Sequence, residues 1–261
     1  MIKNKLNLIF RYIKYYFSAL PKGGFGIHSP FVYSFVTEVI EESLPYYSYN
    51  TIEHIRQNLL RDKSYINVTD YGTGKSCKKQ ICEIAKVSSK NKKDSQLIFR
   101  IAVFAKAKNI LELGTSIGTT TMYLGMSDHN SKIISLEGCP ETANIAKTNL
   151  KNAKLSNVKI ITGNIDNTLY DALKEMPTID FAFFDANHQE VTTIKYFEQC
   201  LSKVNKNSIF VFDDIHWSDG MDKAWKYICK NSKSVVTIDL FSMGIVFFNP
   251  ELNKHNYKIK Y

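Results

Sequence analysis

The feature that most constrains the fold is a regular alternation of short apolar runs and helical patterns from about residue 94 onward. The apolar runs lie at residues 109–113, 132–136, 158–162, 179–184, 208–212, 235–239 and 244–248. Nearly continuous apolar runs are typical of strands buried on both faces, and helical patterns separate the first six of them. The sequence therefore predicts a doubly wound, mostly parallel α/β sheet of seven strands.

The last two predicted strands are joined by residues 240–243 only. A crossover to a parallel strand needs a dozen or more residues, so this pair must be antiparallel. We therefore expect a Rossmann-like sheet that ends in an antiparallel C-terminal hairpin. The predicted α/β domain covers residues 95–261.

Residues 1–94 lack this alternation and are predicted to form a mostly helical N-terminal extension that caps the substrate site. An amphipathic helix is expected over residues 1–20, with further helices over 31–40 and 51–61. The stretch 65–75 contains Gly72 and Gly74 but not the spacing of a phosphate-binding P-loop, so we expect a turn or an ordered loop there. The first helix is expected to pack on the main domain, with a membrane-surface role as the alternative.

Composition excludes several classes of protein. No apolar run reaches 18 residues, and residues 1–20 have no signal-peptide pattern, so we expect a cytoplasmic protein without a transmembrane segment. The five cysteines are odd in number and scattered, which favours reduced thiols. The net charge of +9 leaves a nucleic-acid partner open, but no RNA-binding signature accompanies it, so that partner is not favoured.

A glycine-bracketed loop follows the first predicted strand, with the sequence Glu-Leu-Gly-Thr-Ser-Ile-Gly at residues 112–118. Glycine permits a sharp turn and a close approach of a ligand to the backbone. The following helix N-terminus would present unpaired N–H groups. The spacing is neither the G-x-G-x-x-G of dinucleotide-binding folds nor that of a P-loop. After the second strand comes Glu137, where an acidic residue can accept the hydroxyl groups of a ribose.

Carboxylates follow the fourth and fifth predicted strands. Asp185 and His188 come after the fourth strand, and Asp213 and Asp214 come at the end of the fifth. If the strands are neighbours these carboxylates converge, and crowded carboxylates either raise a pKa or bind a cation. Oxygen ligands favour Mg²⁺, Ca²⁺ or Mn²⁺. His216, which follows shortly after, could be a further ligand, but we interpret it as a polar cap beneath Trp217.

These motifs together resemble the class I S-adenosylmethionine (SAM)-dependent methyltransferases, whose motif I has the pattern E/D-x-G-x-x-x-G. Over about residues 95–250 the chain resembles the cation-dependent O-methyltransferases of the catechol and caffeoyl-CoA type. Residues 25–33 (Phe-Gly-Ile-His-Ser-Pro-Phe-Val-Tyr) are also similar to an N-terminal box of an uncharacterised bacterial group of SAM methyltransferases.

The resemblance implies a role for each site residue. The implied SAM-binding residues are Glu112, Gly114, Thr115, Ser116, Gly118, Glu137, Asn164 and Asp185. The implied ligands of a divalent cation such as Mg²⁺ are Asp185, Asp213 and Asp214. His188 is the implied catalytic base, acting with Asp185. The chain departs from the pattern at two positions, because Asp214 replaces the usual Asn and His188 replaces the usual Lys.

The leading hypothesis is a SAM-dependent methyltransferase that methylates a hydroxyl oxygen of a small-molecule acceptor, with a divalent metal as an assisting group. One alternative is an RNA-modifying enzyme of the same fold. Another is a SAM-binding protein without catalysis. A homodimer remains open.

Overall fold

The computed structural model of the protein describes residues 2–70, 75–87 and 90–261. It divides into two compact units. Unit 1 comprises Met1–Ser43 and Phe183–Tyr261, and unit 2 comprises Leu44–Ala182. The predicted N-terminal extension contributes to both units, and the functional boundary after residue 94 stays a prediction. No helix within the described ranges is long and apolar enough to cross a membrane.

Unit 2 begins with helix α3 and a β-hairpin and continues with alternating helices and strands. Its helices are α3 (Tyr47–Leu59), α4 (Ile81–Val87), α5 (Lys92–Phe104), α6 (Thr119–Ser127), α7 (Pro140–Asn152) and α8 (Ile165–Glu175). Its strands are β1 (Tyr65–Asp70), β2 (Lys75–Gln80), β3 (Asn109–Leu113), β4 (Lys132–Glu137), β5 (Val158–Thr162) and most of β6 (Ile179–Phe184). Buried aromatic and aliphatic side chains of α3, α5 and α6, among them Tyr49, Phe99 and Tyr123, form one core cluster of this unit.

Unit 1 combines the N-terminal helices with the C-terminal part of the chain. Its helices are α1 (Ile2–Ser18), α2 (Pro30–Phe35) with a π-helical continuation (Val36–Ile40), α9 (Glu190–Cys200) with a 3₁₀ turn (Leu201–Lys203), and α10 (Asp219–Lys230). Its strands are β7 (Val204–Asp213), β8 (Val236–Asp239), β9 (Met243–Phe247) and β10 (His255–Lys258). The rings of Phe31 and Phe35 pack edge-on against Phe247, so α2 is anchored on strand β9.

The strand order of the sheet is β10-β8-β9-β7-β6-β3-β4-β5. Strand β4 pairs in parallel with both β3 and β5, whereas β9 pairs antiparallel with both β7 and β8. The predicted mostly parallel sheet with an antiparallel C-terminal pair is thus confirmed. The sheet has eight strands rather than seven, because β10 adds to β8 in parallel. Sequence patterns missed β10 because its residues, His-Asn-Tyr-Lys, are polar and mostly exposed.

The N-terminal helices agree with the sequence patterns, but the stretch 65–75 does not. Residues 65–70 and 75–80 pair as an antiparallel hairpin rather than forming a turn or loop, and Gly72 and Gly74 lie outside the described residues. Ile66 and Val68 alternate along β1 and pack against the core cluster of unit 2, which explains why this segment is extended.

Candidate functional site

The glycine loop connects β3 to α6 within unit 2 and has an unusual backbone. Gly114, Ser116 and Gly118 all have positive φ angles, of 99°, 50° and 83°. The N–H groups of Gly114 and Thr115 both donate to the carbonyl oxygen of Leu136 at the end of β4. The Gly118 N–H donates to the Thr115 carbonyl at 2.9 Å, which closes a tight turn before α6. The loop is therefore held in one conformation by the neighbouring strand.

Gly118 has a packing role in this loop. A Cβ atom on Gly118 would lie 3.0 Å from the Ala146 Cβ atom and 3.1 Å from its Cα atom, in helix α7. Real Cβ contacts are rarely this short, so only glycine lets the start of α6 approach α7 so closely. The side-chain amide of Asn149 on α7 also donates to the Ile117 carbonyl at 2.8 Å. The glycine loop thus rests directly on α7.

Glu112, the acidic residue of the motif, is fully buried beneath the loop. Its Oε2 atom accepts hydrogen bonds from the hydroxyl groups of Thr121 at 2.6 Å and Ser135 at 2.5 Å. The Ser135 hydroxyl also lies 2.5 Å from that of Thr115. This network joins β3, β4 and α6, so Glu112 fixes the strands that carry the loop.

Glu137 ends β4, and its carboxylate is fixed by backbone groups. Its Oε2 atom accepts a hydrogen bond from the Ser116 N–H at 2.6 Å, and its Oε1 atom accepts one from the Cys139 N–H at 2.8 Å. The Thr142 hydroxyl donates to Oε1 at 3.1 Å. Because the Ser116 N–H belongs to the glycine loop, Glu137 and that loop form one structural unit with a half-buried carboxylate at the end of the strand.

Asn164 follows β5 and caps helix α8. Its Oδ1 atom accepts a hydrogen bond from the Asp166 N–H at 3.0 Å. The preceding Gly163 donates its N–H to the Glu137 carbonyl at 2.8 Å. The loops after β4 and β5 are therefore hydrogen-bonded to each other, and the predicted SAM-binding residues from Glu112 to Asn164 gather at the carboxyl ends of β3, β4 and β5 within unit 2.

In unit 1, Asp185, His188 and Asp213 form a cluster that can hold a metal ion. One ligand atom from each residue lies within 4.8 Å of the other two, and His188 Nε2 is 3.4 Å from Asp185 Oδ1. Asp213 is 2% exposed at the end of β7, whereas Asp185 and His188 are partly exposed. Asn187 and His188 both have positive φ angles, and the His188 N–H donates to the Ala186 carbonyl. This tight turn carries His188 back to Asp185.

Asp214 is not among the residues that the structure groups in this cluster. Its φ angle of 52° lies in the left-handed region, and its N–H donates to the Ser242 carbonyl at 2.7 Å. Its carbonyl accepts a hydrogen bond from the Trp217 N–H. The backbone thus leaves the strand conformation at Asp214. The third potential ligand beside Asp185 and Asp213 is His188, for which the resemblance had implied the role of catalytic base.

The sequence did not predict the two aspartate partners of a second histidine in unit 1, His216. His216 Nδ1 lies 2.9 Å from Asp222 Oδ1, and His216 Nε2 lies 2.9 Å from Asp239 Oδ2. Burial tends to raise the pKa of Asp222, but hydrogen bonds with Lys226 and His216 outweigh it and hold that pKa below its usual range. The sequence signal was weak, because Asp222 and Asp239 lie 6 and 23 residues from His216. His216 therefore anchors the loop after β7 to α10 and β8.

Comparison with known proteins identifies the fold as that of class I methyltransferases. Residues 111–215 match a family model described as a methyltransferase domain. An O-methyltransferase from Bacillus cereus in complex with S-adenosylhomocysteine (SAH) aligns with a TM-score of 0.57 at 17% identity, covering 81% of this chain and 96% of the other. The SAH-bound methyltransferase PaMTH1 of Podospora anserina aligns with a TM-score of 0.56 at 16% identity, covering 80% and 99% of the two chains.

A curated relative is similar in sequence. A catechol O-methyltransferase from Niastella koreensis is 33% identical to this chain over 118 residues, which are 44% of this chain and 52% of the relative. The chain thus spans about half the length of the curated relative that it matches.

Proposed function

We propose that this protein is a SAM-dependent methyltransferase that methylates a hydroxyl oxygen of a small molecule. The observation that carries the proposal is the match of residues 111–215 to a methyltransferase domain, because this segment contains both the glycine loop and the Asp185, His188 and Asp213 cluster. The catechol O-methyltransferase relative supports oxygen as the acceptor atom.

The loops of unit 2 fit SAM. Gly114 provides a half-buried backbone without a side chain at the end of β3, and Glu137 provides a carboxylate fixed by the Ser116 N–H. We assign the ribose hydroxyl groups to Glu137 and the adenine end to the loop at Asn164, with Thr115, Ser116 and Gly118 shaping the backbone around the methionine end. Glu112 supports this loop from below. SAM supplies a methyl group already activated by its positive sulfur, so the task of these residues is positioning.

The donor set of the unit 1 cluster fits a divalent cation. Two carboxylate oxygens and one imidazole nitrogen form three protein ligands, which leaves coordination positions for water or an acceptor oxygen. A divalent cation lowers the pKa of a hydroxyl group that binds it. An imidazole ligand suits Mn²⁺, Fe²⁺ or Zn²⁺ better than Mg²⁺, which prefers oxygen. We therefore expect Mn²⁺ to bind this cluster more tightly than Mg²⁺, with Asp214 outside the ligand set.

His188 has two proposed roles that depend on the cation. Without a cation, its imidazole takes the proton that the acceptor hydroxyl loses as the oxygen–methyl bond forms and the sulfur–methyl bond breaks. A bound cation would instead be held by His188 together with Asp185 and Asp213, and His188 would then not act as the base. Without a cation, Asp185 Oδ1, which lies 3.4 Å from His188 Nε2, would orient the imidazole.

We further propose a cytoplasmic enzyme in which residues 1–94 help to form the acceptor site. All five cysteines are free, and Cys82, Cys139 and Cys200 are buried, in keeping with a reducing compartment. Residues 1–94 lie entirely outside the matched segment 111–215, which would let them set acceptor specificity.

The first experiment is calorimetric titration of the purified protein with SAM and SAH. We expect binding of both, and we expect Glu137→Gln to lose at least tenfold in affinity, because an amide cannot accept as a carboxylate does. Glu175→Gln is the matched control, since Glu175 is a partly exposed carboxylate of unit 2 paired with Lys159. Absence of SAM and SAH binding at millimolar concentrations would refute the proposed function.

The second experiment tests the cluster by titration with Mn²⁺ and with Mg²⁺. Asp213→Asn and His188→Ala are expected to abolish Mn²⁺ binding, whereas Asp214→Asn and the control Asp171→Asn are expected to retain it. A screen of catechols, phenols and RNA with the metal-loaded and chelator-treated protein then identifies the acceptor. Methylation of RNA with no turnover of phenols would contradict a small-molecule acceptor.

A further inference from the structure

Helix α1 exposes an apolar face to solvent. Ile9, Phe10, Ile13 and Phe17 are 56%, 73%, 47% and 83% exposed, respectively. Residues spaced by three, four or seven positions share one face of a helix, so these four side chains form a continuous stripe. An amphipathic helix of a globular protein normally buries such a stripe. In unit 1 the stripe points outward instead.

The opposite side of α1 is the attached one. Arg11, Tyr15 and Ala19 follow one another at intervals of four, and Tyr15 and Ala19 are buried. The Tyr15 hydroxyl donates to the Ile259 carbonyl, and Arg11 donates to the His216 carbonyl and pairs with Asp219. These contacts fix the rotation of the helix about its axis, so the outward position of the stripe follows from specific bonds on the other side.

Positive charge accompanies the stripe. Helix α1 carries the exposed Lys14, its sequence also contains Lys3 and Lys5, and it has no acidic residue. Another cation lies beside the helix, because the Lys260 ammonium is 4.0 Å from the centre of the Tyr16 ring. An outward apolar stripe with basic residues is the pattern of helices that lie in the plane of a membrane interface.

We propose that α1 docks this protein on the surface of an anionic lipid bilayer. The stripe of Ile9, Phe10, Ile13 and Phe17 enters the boundary between headgroups and acyl chains, and the lysines contact lipid phosphates. A second copy of the chain fits this face less well, because a two-fold contact would place α1 against α1 and bring like charges together with no acidic residue on either helix to offset them.

The test is co-sedimentation of the full-length protein with vesicles. One set contains phosphatidylcholine alone, and the other contains phosphatidylcholine and phosphatidylglycerol in equal parts. We expect binding to the anionic vesicles only. Phe10→Ser combined with Phe17→Ser is expected to weaken this binding about tenfold or more, since both side chains would leave the apolar layer. Lys14→Gln is expected to weaken it about fivefold.

Two controls keep the result interpretable. Tyr47→Ser removes a fully exposed aromatic ring from α3 in unit 2 and is expected to leave vesicle binding unchanged. SAM affinity is measured on every variant and is expected to stay constant, so the docking proposal and the proposed methyl transfer fail or succeed separately. Equal binding of the double phenylalanine variant and the unmodified protein would overturn the proposal. So would a dimer in light scattering that dissociates in the double variant and does not bind vesicles.

Discussion

Replacing Gly118 by alanine tests how the glycine loop is built. Gly118 has a φ angle of 83°, and its α-carbon faces Ala146 of helix α7. The added methyl group meets two costs at once. The first is the left-handed backbone conformation, and the second is overlap with α7.

The two costs can be sized separately. An L-residue held in the left-handed region costs about 1–2 kcal/mol relative to glycine. The added Cβ atom would stand 3.0 Å from the Ala146 Cβ atom and 3.1 Å from its Cα atom, and the helix backbone cannot rotate away as a side chain can. Overpacking of this kind costs about 1–3 kcal/mol. We therefore expect Gly118→Ala to lower the free energy of unfolding by about 2–5 kcal/mol.

Gly23→Ala provides the matched control for backbone strain. Gly23 has nearly the same φ angle, 81°, but a Cβ atom there meets only ring atoms of Phe25, a side chain that is 71% exposed and free to move. Its expected cost is therefore only the backbone part, about 1–2 kcal/mol. The assay is urea unfolding followed by far-ultraviolet circular dichroism, with SAM affinity measured on the same proteins.

A double-mutant cycle with Ala146→Gly isolates the overlap. Removing the Ala146 methyl group relieves the nearer contact, so Gly118→Ala should cost about 1 kcal/mol less in that background than alone. Gly118→Ala costing no more than Gly23→Ala, with no coupling to Ala146, would refute the packing argument. Gly118 would then be explained by its φ angle alone.

Three further substitutions test other parts of the structure by equilibrium unfolding. Asp222→Asn should destabilise the protein at neutral pH, because a carboxylate with a lowered pKa stabilises the fold only while it is ionised. The difference in unfolding free energy between the variant and the unmodified protein should vanish as the pH falls through the lowered pKa of Asp222; a pH-independent difference would contradict this. Tyr15→Phe should cost about 1–2 kcal/mol, since the buried Ile259 carbonyl loses its donor; an unchanged midpoint would argue against that bond. Glu112→Gln should cost about 1–3 kcal/mol, because the amide replaces a buried carboxylate that accepts from two hydroxyl groups; a gain in stability would overturn the network.

The sheet could be predicted from the sequence because strands that are buried on both faces appear as short, largely apolar runs. Strand β6 has five buried apolar residues out of six and β3 has three out of five, and both strands differ from the predicted runs by no residue at either end. Strands without an apolar run were not predicted. β10 has only exposed or half-buried residues, and β2 is rich in lysine. These two strands are extended because they pair with a neighbouring strand, and their own residues give no strand pattern.

In unit 2, spacing along the chain carried most of the information. Residues at the carboxyl ends of successive parallel strands meet at one edge, so the sequence could place Glu112, Gly114 and Glu137 at the same edge of the sheet. What the sequence could not provide is which atoms each side chain contacts. The burial of Glu112 beneath the loop and the Ser116 N–H bond to Glu137 depend on backbone angles, and Ser116 reaches its position through a φ angle of 50°.

The cluster of Asp185, His188 and Asp213 shows that side-chain directions can be predicted only within a strand. Asp213 is the last residue of β7, so its direction follows from strand geometry, and the sequence placed it correctly beside Asp185. One residue later, Asp214 adopts a φ angle of 52° and bonds to Ser242, which removes it from the alternation of a strand. His188 enters the cluster for the same kind of reason, because its own φ angle of 37° turns the chain back. Two loop residues in left-handed conformations, His188 and Asp214, thus decide that the side chains brought together are two carboxylates and one imidazole rather than three carboxylates.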